Sequence, residues 1–596
     1  MKRRALILSL IFLVALAAAA AITGRQALPS AVKPPKTVEA SPPGKASSRP
    51  PQRPSLLVRP APALPADLSA RQANAEAHPN DWLVYGGSYQ AWRFSPLTQI
   101  TKENVGQLRP VWTVPTGVYD GFEASPIVVD GVMYFTTPWN HVFAVNAATG
   151  ELYWRYVHPL PVSLPLCCGP VNRGAAVGDG KVIFTTLDAH VVALDARTGR
   201  PVWQTRTADY RLGYSLTLAP QVIGNKVIIG SSGGDFGARG FVDAYDIRSG
   251  RRLWRFWTVP SPGQPGSETW SGDSWKTGGG PMWVTPTYDP STNLIYAGVG
   301  NPGPDLTGEM RKGLNLYTEC VIALDADTGR LKWYYQTVPH DVWDLDVVTD
   351  PIIDDLTLDG QVRKVVMFPA KSGYFTVLDR VTGEFLYALK YVDKLNWGYV
   401  DEKGLAHPDP AKFPRKDRWT TVYPGASGGK EWCPAAYDPR RKRLFIPVIE
   451  LGHRHKVIRQ TFKPGLLYWG GVSEPVPNSG YGHITAIDVE KKKIAWSRRT
   501  DFPIVAGVTA TASGLVITGT PDQKMLILDA DSGKVLWQYV AVSGWHASPV
   551  VYAVGGKEYI AFANGWGGWV AGFNSAGTPR LKGVPMDENM YAFALP

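Results

Sequence analysis

A short phrase recurs seven times in this chain of 596 residues, and it restricts the fold more than any other feature. It reads as an apolar residue, Asp or Asn, two residues, a small residue and Gly, then three residues and an aromatic. The copies are VNAATGELYW ending at Trp154, LDARTGRPVW at Trp203, YDIRSGRRLW at Trp254, LDADTGRLKW at Trp333, LDRVTGEFLY at Tyr387, IDVEKKKIAW at Trp496 and LDADSGKVLW at Trp537. Each follows an apolar stretch such as HVFAV or HVVAL. Asp and Gly supply turn chemistry, so the phrase predicts strand, turn, strand. The commonest spacings, about 40–55 residues, suit a four-stranded propeller blade. The expected fold is an all-β, eight-bladed β-propeller. Its eighth blade would be completed by GQLRPVWTV near the start and GWGGWVAGFN near the end, closing the ring and removing exposed edges. The repeat tryptophans are expected to pack between blades. The longer intervals, Trp254 to Trp333 and Tyr387 to Trp496, imply insertions that carry site-building loops.

Composition agrees: 61 Gly, 50 Pro and 22 Trp with 19% charged residues suit short strands and tight turns. The net charge of +11 is concentrated at one end. Residues 1–66 carry ten Lys or Arg against the single acid Glu39, leaving a nearly neutral body whose charge gives nucleic-acid binding little support. MKRRALILSLIFLVALAAAAAITG, residues 1–24, reads as an export signal. The apolar run from Ala5 to Ile22 also reaches the lower limit for a membrane span, so an uncleaved anchor is the alternative. Either places the body in the periplasm, where disulfides persist. Residues 25–66, Pro-rich and basic, are expected to form a disordered linker, and residues 67–596 the propeller. No C-x-x-C-H occurs, so covalently attached haem is not expected.

Several stretches depart from the repeat. LPLCCGPVNRG places Cys167 beside Cys168. Consecutive Cα atoms lie about 3.8 Å apart, below the usual disulfide separation, and so small a ring staples almost no chain. Two buried thiols and a strained disulfide both remain open on these grounds. VPHDVWDLDVVTD carries Asp344 and Asp346, which project to one side if the segment is extended; buried together, they call for a cation. IIGSSGGDFGARG sets Asp235 after a glycine run that a ligand can approach closely, and AGVGNPGPDL offers the Asn301 amide oxygen. Oxygen donors of this kind favour calcium or a hard trivalent ion. WKTGGGPMWVTP presents Trp283 after three glycines, where a flat ligand could lie on the indole.

Taken together, and in this order over about residues 80–575, these fragments resemble the quinoprotein alcohol dehydrogenases, which use pyrroloquinoline quinone (PQQ). The resemblance implies that Cys167 and Cys168 form a vicinal disulfide covering one face of PQQ, with Trp283 stacked on the other. It further implies that Arg173 pairs with the cofactor's oxygens, that Glu123, Thr217 and the backbone at Gly233 and Gly234 make further contacts, and that Lys371 reaches the quinone oxygens. Asp344 matches the catalytic base, and Asp235, Asn301 and Asp344 match metal ligands. Asp346 is an added acid that serves as a ligand in lanthanide-using members. Asp235 is one methylene shorter than the Glu usual there, so the ion must shift or its coordination must change. Glu431 replaces a usual amide, and neither Cys433 nor Cys320 has an evident role.

The implied reaction is oxidation of an alcohol to an aldehyde or ketone, with electrons passed to an external acceptor such as a cytochrome c. A sugar or polyol dehydrogenase, and a non-catalytic scaffold for outer-membrane assembly, are the alternatives. Three aspartates in one shell favour a lanthanide over calcium, and loops 258–275 and 390–430 are expected to set pocket size.

Overall fold

The computed structural model describes residues 55–596. The signal or anchor expected over 1–24, and most of the linker expected after it, lie outside the described residues. The end of that linker differs from expectation. Leu56–Leu57 pairs antiparallel with Arg155 and Trp154, Arg59 forms an ion pair with Glu151 at 2.7 Å, and Ala61 is buried. Covering the outer strand Leu152–Val157 removes an exposed sheet edge, which is why residues 55–66 are built onto the body. No described helix is long and apolar enough to cross a membrane.

The described chain is almost entirely strands. Eight sheets have four or five strands each, and smaller sheets of two and three strands occupy the interval between Tyr387 and Trp496. The seven phrases straddle the last two strands of successive sheets. In each, the aromatic pairs with a small or aliphatic residue (Ala144 with Trp154, Ala193 with Trp203, Ile527 with Trp537), and the register shifts immediately afterwards. In the turn, Asp195 accepts the Thr198 amide at 2.8 Å and its hydroxyl at 2.7 Å, and Gly199 follows at φ +69°. Lys492 takes the same position in IDVEKKKIAW at φ +52°, without glycine's freedom.

The repeat aromatics tie each sheet to the next. The Trp154 indole donates to the Ala196 carbonyl at 3.0 Å, and its ring lies over Gly199, where a Cβ would come within 2.5 Å. Trp203 does the same at Ile247 and Gly250, Trp254 at Ala326 and Gly329, Trp333 at Arg380 and Gly383, and Trp496 at Ala530 and Gly533. The phrase is therefore a docking device: its aromatic belongs to one sheet and its glycine receives the aromatic of the sheet before.

The two chain ends share a sheet. Arg109–Pro115 pairs with Asn589–Ala594, which pairs with Lys557–Asn564. Trp112 of that sheet donates to the Ala147 carbonyl at 3.1 Å and packs on Gly150. The C-terminal contributor differs from the one expected. Most of GWGGWVAGFN is the start of an α-helix, Gly568–Gly577, and the strand comes later, from Asn589. The helix is drawn over a loop instead, its Trp569 amide donating to the Cys168 carbonyl at 3.3 Å.

Candidate active site

Loops from several sheets converge on one cavity with about 1040 Å³ of empty space, its open mouth included. Every site residue expected from the sequence lines it except Gly234. Gly234 acts from behind: a Cβ there would lie 2.9 Å from the Asn301 amide oxygen and 2.8 Å from the Pro281 ring. Glycine is what allows that oxygen to approach.

Cys167 and Cys168 are bonded to each other, so the alternative of two reduced thiols is excluded. Their sulfurs and an Asp235 carboxylate oxygen lie within 4.8 Å of one another, which sets the disulfide beside the acidic residues. Trp283 is fixed by its ring nitrogen, which donates to Asp346 Oδ2 at 2.9 Å. Asp346 Oδ1 accepts the Asn301 backbone amide at 2.7 Å. Indole, amide residue and acid thus form one unit.

Two buried cations face these acids. Arg173 pairs with Glu123 at 2.9 Å, donates to the Thr217 hydroxyl at 2.9 Å, and lies over the Trp283 and Trp432 rings at 4.7 and 4.9 Å. Burial pushes Glu123 up to about 7, against the pull of Arg173. Lys371 pairs with Glu431 at 3.0 Å and approaches the Asp344 carboxylate at 3.6 Å and its carbonyl at 3.3 Å. Burial works to lower the Lys371 pKa, but Asp344 and Glu431 outweigh it and keep the ammonium charged. Glu431 therefore has a partner here that an amide could not neutralise.

Asp344 sits in the left-handed region at φ +69°, held by its amide donating to Asp341 Oδ2 at 3.0 Å. Asp341 also accepts the amides of Trp343 and Leu345, so this one carboxylate shapes the turn that presents Asp344. Burial raises the pKa of Asp344 most; Lys371 pulls it down, while Asp346, Asp305 and Asp235 push it up. Burial and Asp346 likewise raise Asp235. Crowding carboxylates in a buried pocket is costly without a cation between them. The donors are all oxygen, the chemistry of a hard ion. Asp305 Oδ1 is buried with no hydrogen-bond partner, as an ion-facing oxygen would be. The residues present fit such an ion.

Sequence reasoning missed Asp305, Trp469 and Trp569, all of which line the cavity. Asp305 lay in the stretch quoted for Asn301, but an acid in a Pro-bracketed turn reads as solvated. Trp469 comes from the long insertion before Trp496; its indole donates to Asp235 Oδ1 at 3.1 Å. The loops expected to set pocket size are largely elsewhere: no residue of 258–275 lines the cavity, and of 390–430 only Ala426 does. Phe236, Leu306, Trp469 and Trp569 are among the apolar residues that line it instead. Cys320 and Cys433 are free and buried, with thiols directed at the Thr318 and Val505 carbonyls.

The family model described as PQQ glucose/ethanol/alcohol dehydrogenase, beta-propeller domain, matches residues 82–393 and 468–560. The chain belongs to the PQQ-dependent dehydrogenases. Its sheets are those of that family's all-β propeller. Among similar proteins is the quinohemoprotein alcohol dehydrogenase ADH-IIG of Pseudomonas putida, 37% identical over 86% of this chain and 77% of the relative. The quinoprotein alcohol dehydrogenase PedH of Pseudomonas putida is 34% identical over 92% of this chain and 98% of that one. A solved europium-containing methanol dehydrogenase superposes with a TM-score of 0.84 at 32% identity, over 88% of this chain and all of that one.

Proposed function

We propose that this PQQ-dependent dehydrogenase is a periplasmic enzyme that oxidises an alcohol to an aldehyde or ketone and passes the electrons to an external acceptor of the cytochrome c type. The observation that carries the reading is that one cavity gathers a vicinal disulfide, an indole braced by a carboxylate, two buried cations and a cluster of acids. The eight larger sheets are taken as eight blades of a ring closed by the sheet that both chain ends share. What supports the closure is the Trp112 contact with the first repeat, together with a core in which Met133 and Phe135 pack with Val551, Tyr552 and Ile517.

Cys167–Cys168 and Trp283 would flank the planar cofactor, with Glu123, Arg173, Thr217, Lys371 and the backbone at Gly233 and Gly234 around its edge. Asp235, Asn301, Asp344 and Asp346 would hold the ion. When bound, the quinone supplies a two-electron acceptor for the carbinol hydride, and the ion acts as a Lewis acid at its edge. Asp344 takes the substrate hydroxyl proton on a carboxylate oxygen. Lys371, beside it, opposes reprotonation from solvent by favouring the charged form of that carboxylate. Arg173 holds anionic oxygens, while its bond to Glu123 keeps the guanidinium from swinging out. Phe236, Leu306, Trp469 and Trp569 exclude water from the reacting carbon and favour a substrate with an apolar body, in keeping with an alcohol rather than a sugar.

The test is steady-state reduction of a dye acceptor by the purified chain loaded with PQQ and calcium or lanthanum, offered short alcohols, aldehydes and sugars. Alcohol-dependent turnover that needs both PQQ and the ion is expected. Turnover on sugars alone would replace alcohol with polyol, and no turnover on any substrate would reject the enzyme.

A further inference from the structure

Four aspartates, not three, line the cavity: Asp235, Asp305, Asp344 and Asp346. Asp305 is 3% exposed and lines the same space as Asp235, Asn301, Asp344 and Asp346. Its backbone is pinned on both sides: the preceding Pro304 carbonyl accepts the buried Arg311 guanidinium at 3.0 Å, and the following Leu306 amide donates to the Trp469 carbonyl at 2.8 Å. Trp469 thus holds both acids in place, because its indole donates to Asp235 Oδ1 and residue 468 donates its amide to the Asp235 carbonyl. The buried Arg311 spends its donors on the Pro304 and Asp341 carbonyls and the Asn315 side chain, and it makes no ion pair with Asp305.

The carboxylates differ in how free they are. Both oxygens of Asp346 already accept hydrogen bonds, from Trp283 and Asn301. One oxygen of Asp235 accepts from Trp469. Asp305 Oδ1 is buried and accepts nothing. An unpartnered buried carboxylate oxygen is costly to leave unmade, and that cost is removed when a cation takes it.

Resting on the metal-dependent reading above, we infer that Asp305 is an additional protein ligand to the ion, making up for the short reach of Asp235 and biasing the site towards a trivalent cation. Four carboxylates and one neutral amide oxygen give the shell four negative charges. A trivalent ion neutralises most of that and a divalent ion half, so removing one carboxylate should weaken the trivalent ion more.

The test uses the full chain stripped by chelator, then titrated with terbium or with calcium. Terbium emission is excited through the neighbouring tryptophans, and its lifetime in H2O and D2O counts the waters it keeps. The Asp305→Asn chain should lose terbium affinity by about 100-fold, the upper end of what losing even an outer-shell partner costs, lose calcium affinity less, and gain at least one bound water. In Asp305→Asn with Asp235→Glu, the longer carboxylate should recover most of the loss, which a merely structural role would not do. Asp305→Ser, with less bulk, provides the same comparison if the Asn variant does not fold. Terbium affinity and hydration unchanged in the variant overturn the role of Asp305 alone. A wild-type chain that takes up no ion overturns the metal-dependent reading and this inference with it.

Discussion

Asp344 carries the chemistry through its position: a left-handed backbone conformation, three amides gathered on Asp341 and the Lys371 ammonium present one carboxylate to the cavity. Asp344→Asn keeps the shape and removes the base. It should retain PQQ, read by absorbance, while turnover falls at least about 100-fold, as loss of a positioned general base does. A second residue sets a pH dependence unrelated to catalysis. Burial pushes Glu588 up to about 8 from its usual 4.5. Between those values the native state holds a proton that the unfolded chain releases, so its contribution to stability is full below pH 4.5 and is lost as pH rises towards 8. Glu588→Gln keeps an acceptor for the Asp120 amide, which Glu588 now binds at 2.6 Å. Its urea midpoint should change less between pH 5 and pH 8.5 than the wild type's. Some of this was legible. Paired cysteines and a W-D-L-D stretch stood out because a propeller blade has no use for them. Asp305 did not, because its meaning depends on burial and an absent partner, and neither is written in a turn.

At the scale of the element, the repeating phrase works across a boundary: the aromatic of one sheet lies on the turn glycine of the next. Gly199→Ala would force both a left-handed alanine and a Cβ 2.5 Å from the Trp154 ring. We expect a loss of about 2–4 kcal/mol in denaturant unfolding, strain and overpacking together. Trp203→Phe should keep most of the packing and lose the bond to the Ile247 carbonyl, for about 1 kcal/mol. The strand and turn elements were legible because Asp, Gly and the aromatic each have a local reason to be there. Helix Gly568–Gly577 was not. Its glycines and its one tryptophan, Trp569, read equally as a strand end, and the contact that places it, the Trp569 amide on the Cys168 carbonyl, joins residues about 400 apart in the chain.

For the whole molecule, Asn589–Ala594 joins the first core strand to the last sheet. Deleting residues 588–596 should therefore abolish cooperative unfolding of the entire body and should not yield a slightly shorter stable one, because the lost strand exposes two edges at once. The repeat period raised the expectation that an early and a late segment share a sheet, and Arg109–Pro115 and Asn589–Ala594 do. It could not say which C-terminal segment supplies the strand. The measurement that bears most directly on the account is a crystal structure of the chain loaded with PQQ and lanthanum. It should show planar density between the Cys167–Cys168 disulfide and the Trp283 ring, with an anomalous peak among Asp235, Asn301 and Asp344. Density for the quinone elsewhere, or a peak away from those aspartates, would contradict it.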